Sequence, residues 1–206
     1  MNISLTIAGI LCVSILGTLL HFTYRWSGRN PLIGLIAPVN ESVWEHMKLL
    51  FFPMLLFWLW NLKGVTDACR ISAFHAGLLM GTLLIPVLFY AYTSVLGRNF
   101  LVLDIALFYI CVIAAFLIYR GLSGSCRLEK YSHVTSMAVF LLLICFLLFT
   151  YFPPGFSIFK DPERWQSRTV PWWLAEGAVM VWQLFRNYNA IKYWPEWCFE
   201  TARYCP

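Results

Sequence analysis

Apolar residues in this chain neither alternate nor recur at helical spacing. They run together in blocks over residues 3–22, 46–62, 71–96, 100–119 and 134–152, separated by short polar stretches. A predominantly apolar run of this kind matches a helix crossing the hydrocarbon core, which takes about 20 residues. The pattern predicts an all-α fold, a multi-pass transmembrane helical bundle of five spans. Gly28, Pro31, Gly34 and Pro38 break the first connection, and Pro153, Pro154 and Gly155 stop the last span. The run from Ile3 is long and lacks the basic start of a cleavable signal, so it is read as a retained span. A sixth block, 172–186, is apolar but short and carries Glu176 and Gln183; it is read as a short interfacial helix or a sixth crossing. Six of the ten Trp fall between Trp165 and Trp197, so a transmembrane domain over 1–156 is followed by a Trp-rich tail over 157–206.

Composition agrees with this pattern and narrows the partners. The 206 residues are 60% hydrophobic and only 12% charged, outside the range of an ordinary soluble domain. The net charge of +5 is spread over loops and tail without a basic block, which suits a lipid bilayer with anionic headgroups and excludes a nucleic-acid partner. The seven cysteines form no C-x-x-C pair, and Cys12, Cys111 and Cys145 lie inside apolar runs, so neither a cysteine zinc site nor a disulfide framework is expected. Gly77 and Gly81 have the G-x-x-x-G spacing that allows close helix approach, offering a face for a homo-oligomer.

Against this background the polar residues around Pro38–Pro53 are conspicuous. Charged groups near hydrocarbon depth are costly and usually find partners or a water-filled cavity, which makes Asn40, Glu41, Glu45, His46 and Lys48 candidate ligand-binding residues. On one continuous helix, Glu41, Glu45 and Lys48 would share a stripe while His46 points elsewhere with Ser42. The bland alternative is a helix start, since Ser42-Val43-Trp44-Glu45 has capping-box spacing. Pro53 within the following span leaves the Leu49 carbonyl without its helical donor. In the first span Ser14, Thr18, His21 and Arg25 form a polar stripe that must face other helices. Asp104, one turn inside the fourth span, requires a partner, for which Arg25, His21 and Lys48 are the candidates.

Five alternating spans bring His21, Arg25, Glu41, Glu45, His46, Lys48, Tyr92 and Asp104 to one side of the membrane. The loops of the other side hold five cations (Lys63, Arg70, Arg120, Arg127, Lys130) against three (Arg25, Arg29, Arg98). The positive-inside rule then puts the amino terminus in the cytoplasm and the polar cluster outside.

The segments L-L-H-F-T-Y-R-W-S-G-R-N-P, V-N-E-S-V-W-E-H-M-K-L-L-F-F-P-M-L, L-G-R-N-F-L-V-L-D-I and F-P-P-G-F-S-I-F-K-D-P resemble an uncharacterised family of small bacterial integral membrane proteins, domain of unknown function 6512, over about residues 1–162. The resemblance implies a multi-pass protein of a bacterial cytoplasmic membrane and brings no activity to carry over.

Three functions compete. The first is a binding protein holding a small ligand or divalent metal, with His21, His46 and Glu45 or Glu41 as metal ligands and Asp104 as a further ligand or their support. The second is a membrane-embedded hydrolase acting on a lipid-like substrate, for which neither H-E-x-x-H nor G-x-S-x-G is present. The third is a small transporter or helper subunit, without a visible internal repeat.

Overall fold

Most of the helices begin or end on a side chain or backbone geometry suited to the task. The Asn2 side chain accepts the Leu5 N–H at 2.9 Å and opens α1 (Ile3–Trp26). Asn30 caps the short α2 (Pro31–Gly34), whose first residue is the proline favoured there. Ser42 opens α3 (Val43–Asn61), and Asp67 accepts from Cys69 N–H to open α4 (Ala68–Leu96). Gly97, at φ +71°, closes α4 in the left-handed conformation that glycine adopts without cost. Helix α5 (Leu101–Ser125) follows, then a 3₁₀ turn at Glu129–Tyr131, α6 (Ser132–Phe149) and a last 3₁₀ turn at Ser157–Phe159. The computed structural model describes residues 2–61 and 67–161, all of them within one unit spanning 1–163. The helix expected over 172–186 lies outside the described residues.

Among the described residues, four helices are long and apolar enough to cross a membrane: α1, α4, α5 and the stretch Glu129–Phe149 that contains α6. The block expected as the second span, 46–62, falls among the described residues within α3, which ends at Asn61 and occupies the centre of the unit. Its Leu50, Phe51 and Met54 are fully buried. Phe51 packs edge-on against Phe146 of α6, Phe57 against Phe116 of α5, and Trp58 stacks on Phe74 of α4 at 4.3 Å. The Leu49 carbonyl, freed by Pro53, lies against Gly17 of α1, where an added Cβ would come within 2.5 Å of the oxygen. A backbone thus packs on a backbone, which only glycine permits.

The same contacts identify two ends. At one end the start of α1 meets the end of α5 (Gly9 beside Phe116), and the starts of α4 and α6 meet (His75 Nδ1 to Ser136 Oγ, 3.1 Å). At the other, the end of α1 meets the approach to α3 through Arg25 and Glu41, the end of α4 meets the start of α5 through Tyr92 and Asp104, and the end of α6 meets α3 through Thr150 and Lys48.

Two sequence expectations are corrected, on the disulfide and on the partner of Asp104. Cys69 and Cys126 form a disulfide, with Cα atoms 4.9 Å apart and a sequence separation of 57. No short motif announces it, because the α4–α5 hairpin brings the start of one helix to the end of the next. Gly77 and Gly81 seat α5 of the same chain: a Cβ on Gly77 would lie 2.6 Å from the Ala115 carbonyl, and one on Gly81 2.4 Å from the Ala115 Cβ. Asp104 is not paired with Arg25, His21 or Lys48, but accepts a short hydrogen bond from the Tyr92 phenol of the neighbouring helix.

Candidate functional site

The polar residues of the α1/α3 end separate into two groups, and the position at which α3 begins decides the division. Ser42 accepts the Glu45 N–H at 3.3 Å and Asn40 accepts the Ser42 N–H at 2.9 Å, so helix geometry starts at Val43. Glu41 stands in the bend before the helix and leaves the Glu45/Lys48 stripe that a continuous helix would impose. Only half of the predicted capping box forms. The Ser42 side chain caps the helix, but the Glu45 carboxylate turns inward instead of reaching back to Ser42 N–H.

The inward group is a fully enclosed ion pair. Lys48 is 0% exposed and Glu45 2%, with Nζ donating to Glu45 Oε2 at 2.8 Å. Lys48 also donates to the Gly34 carbonyl at 3.2 Å and to Thr150 Oγ1 at 2.6 Å, which accounts for its three N–H bonds. Glu45 Oε2 in turn accepts the Val39 N–H at 2.9 Å. The pair therefore ties α3 to the α1–α3 connection at two points and to the end of α6. Over it, Trp44 packs against Phe146, Phe149 and Phe159, drawing the turn after α6 across the start of α3. With the three Lys48 N–H groups and Glu45 Oε2 bonded inside the protein, Glu45 and Lys48 fasten the start of α3 to its surroundings, and Asn40 holds the bend before it through the Ser42 N–H.

The outward group is His21, Glu41 and His46, all half-buried, with one ligand atom from each lying within 4.8 Å of the others. Glu41 Oε2 is 3.9 Å from His21 Nε2 and 3.5 Å from His46 Nε2. The two imidazole rings sit 5.5 Å apart between centroids. Glu41 Oε1 accepts from Arg25 at 3.0 Å, and the Arg25 side chain is 70% exposed. His46 Nδ1 lies 2.9 Å from the Ser42 carbonyl, an acceptor; with the proton on Nδ1, the lone pair stays on Nε2, the atom that faces Glu41. His21 Nδ1 is buried and has no hydrogen-bond partner among the described residues.

Of the residues singled out in the sequence, His21, Arg25, Glu41 and His46 come together, Glu45 and Lys48 form a separate pair behind them, and Asp104 is held by Tyr92. Thr150 and the backbone groups of Gly34 and Val39 were not legible as partners. The only signal for Thr150 is a lone hydroxyl ending an apolar run, and the backbone groups leave none.

This arrangement defines a helical membrane protein with a histidine/carboxylate cluster at one end of its helices. The chain belongs to the family of unknown function DUF6512, whose profile matches residues 3–166. No curated protein and no solved structure matches it.

Proposed function

We propose that this is a multi-pass protein of a bacterial cytoplasmic membrane that binds a divalent transition metal of the zinc class through His21, Glu41 and His46. The supporting observation is that three donor atoms of suitable type, from α1, the bend and α3, surround one point. In a tetrahedral site with bonds near 2.0–2.1 Å, neighbouring donors stand about 3.3 Å apart. The two separations from Glu41, 3.5 and 3.9 Å, are close to this, and the three donors, within 4.8 Å of one another, would draw together around an ion by side-chain rotation. The Ser42 carbonyl orients His46 as outer partners of metal-bound imidazoles do, and Arg25 on the second Glu41 oxygen orients the carboxylate in the same way. Three protein donors leave a coordination position for water or a ligand, as in exchangeable or catalytic sites. Hydrolysis would require a further group to take the proton from a metal-bound water, and Arg25, the polar neighbour of the cluster, does not serve as a base. Binding is therefore favoured over hydrolysis.

Without a metal, the same four side chains form an ion-pair network, and the experiment must separate the two. Protein purified in detergent without chelators is analysed for transition metals. About one equivalent is expected in the native chain, and loss of it in both His46→Ala and Glu41→Gln. Glu45→Gln is expected to keep its metal. Less than about a tenth of an equivalent in the native protein would remove the proposal, since ligand sets of this kind normally retain zinc.

A further inference from the structure

We infer that the end of the unit holding Cys69 and Cys126 faces an oxidising, extracytoplasmic compartment, and that the His21–Glu41–His46 cluster opens toward the cytoplasm. The observation that carries this is the disulfide, independent of the cluster and at the other end of the helices. Cys69 lies at the start of α4 and Cys126 just after α5, both at the boundary between an apolar helix and a polar loop, and Cys126 is exposed. Cys69 itself is buried, so the pair meets the aqueous phase of one compartment through Cys126. Forming the bond releases two protons and passes two electrons from the two thiols to a disulfide-bearing oxidant of that compartment, by thiol exchange. Thiols facing the cytoplasm are kept reduced by the thiol pools there, whereas those facing outward are oxidised and remain so.

The charge pattern opposes this only weakly. Lys63, Arg70, Arg120, Arg127 and Lys130 belong to the disulfide end of the sequence. Arg25, Arg29 and Arg98 belong to the cluster end, and Lys160 joins them, because the turn before it packs Phe159 on Trp44 with ring centres 4.8 Å apart. Five against four is a margin of a single cation, well short of the excess by which loop charge fixes orientation. A covalent bond that one side of the membrane favours and the other disfavours outweighs it. The amino terminus, at the disulfide end through the contact of Gly9 with Phe116, then lies outside. One consequence rests on the metal-binding proposal: the cation would exchange with the cytoplasm. The orientation itself does not depend on that proposal.

The test uses the full-length chain in spheroplasts, and for the labelling variants Cys12, Cys111, Cys145, Cys198 and Cys205 are first changed to alanine. Lys130→Cys and Gly155→Cys place a new thiol at each end; Lys130 is exposed, and a side chain at Gly155 meets nothing within 4 Å. An impermeant maleimide should label Lys130→Cys before permeabilisation as fully as after it, and Gly155→Cys only after. In the native chain, acid-quenched and alkylated, Cys69 and Cys126 should react only once reduced. Protection of Lys130→Cys, labelling of Gly155→Cys from outside, or free thiols at positions 69 and 126 would each overturn the inference. If either variant fails to accumulate, protease removal of an amino-terminal epitope from intact spheroplasts supplies the same answer, and its protection would likewise overturn the inference. Metal content is not read here, so failure of the metal site and failure of the orientation are separate results.

Discussion

At the scale of single residues, two carboxylates four positions apart have opposite fates. Glu41 stays half-exposed beside two imidazoles and Arg25, while Glu45 is buried against Lys48. The sequence shows both acids and, in the capping-box spacing from Ser42, a helix start that leaves Glu41 outside, but it does not show that the Glu45 carboxylate turns inward to Lys48. The residues of the cluster were therefore legible, and their partition was not, because the groups that draw Glu45 and Lys48 inward are the Val39 and Gly34 backbone and Thr150, which the sequence does not mark. The buried pair permits a sharp test. Lys48→Met leaves the Glu45 carboxylate enclosed with only a backbone N–H for company, and breaking a buried pair in this way costs about 3–5 kcal/mol. The double change Glu45→Gln, Lys48→Met removes the stranded charge and should recover most of that loss. Unfolding in detergent measures both, and a double variant no better than Lys48→Met would show that the amine holds the fold through Gly34 and Thr150 and not through its charge.

At the scale of elements, block length predicted the helices well because the hydrocarbon core fixes how long an apolar run must be. It said less about which helix lies inside, since a lipid-facing leucine and a buried one look the same in sequence. Helix α3 is at the centre because its polar first turns find partners only within the protein, and because Pro53 and Gly17 together create a close backbone seat. Proline read alone suggested a free carbonyl; glycine read alone suggested nothing. Gly17→Ala is expected to destabilise the protein by about 1–3 kcal/mol, since the added methyl meets a backbone oxygen that has no room to yield. Gly121→Ala is the control: nothing stands within 4 Å of a Cβ there, and alanine in a helix is favoured over glycine by about 1 kcal/mol. Opposite signs in detergent unfolding are the expected outcome, and a neutral Gly17→Ala would mean that α1 does not pack tightly on α3.

At the scale of the whole unit, chemistry is segregated to two ends. The disulfide closes the α4–α5 hairpin at one, and the candidate metal ligands gather at the other. Along α3 alone, from His46 to Asn61, the rise of 1.5 Å per residue puts about 20 Å between the cluster and the opposite end of that helix. Sites so far apart with no shared partner are expected to act additively. Cys69 and Cys126 enclose a loop whose closure is worth up to about 4 kcal/mol in a chain-entropy estimate, less where the membrane already confines the unfolded chain. Reduction with a non-chelating phosphine should therefore lower the resistance of the purified protein to unfolding while leaving its bound metal unchanged under native conditions. The converse should hold for His46→Ala, with metal lost and the disulfide intact by alkylation under non-reducing conditions. Release of metal on reduction, at a concentration of reductant where the protein stays folded, would show that the two ends are coupled through the helices and would overturn their independence.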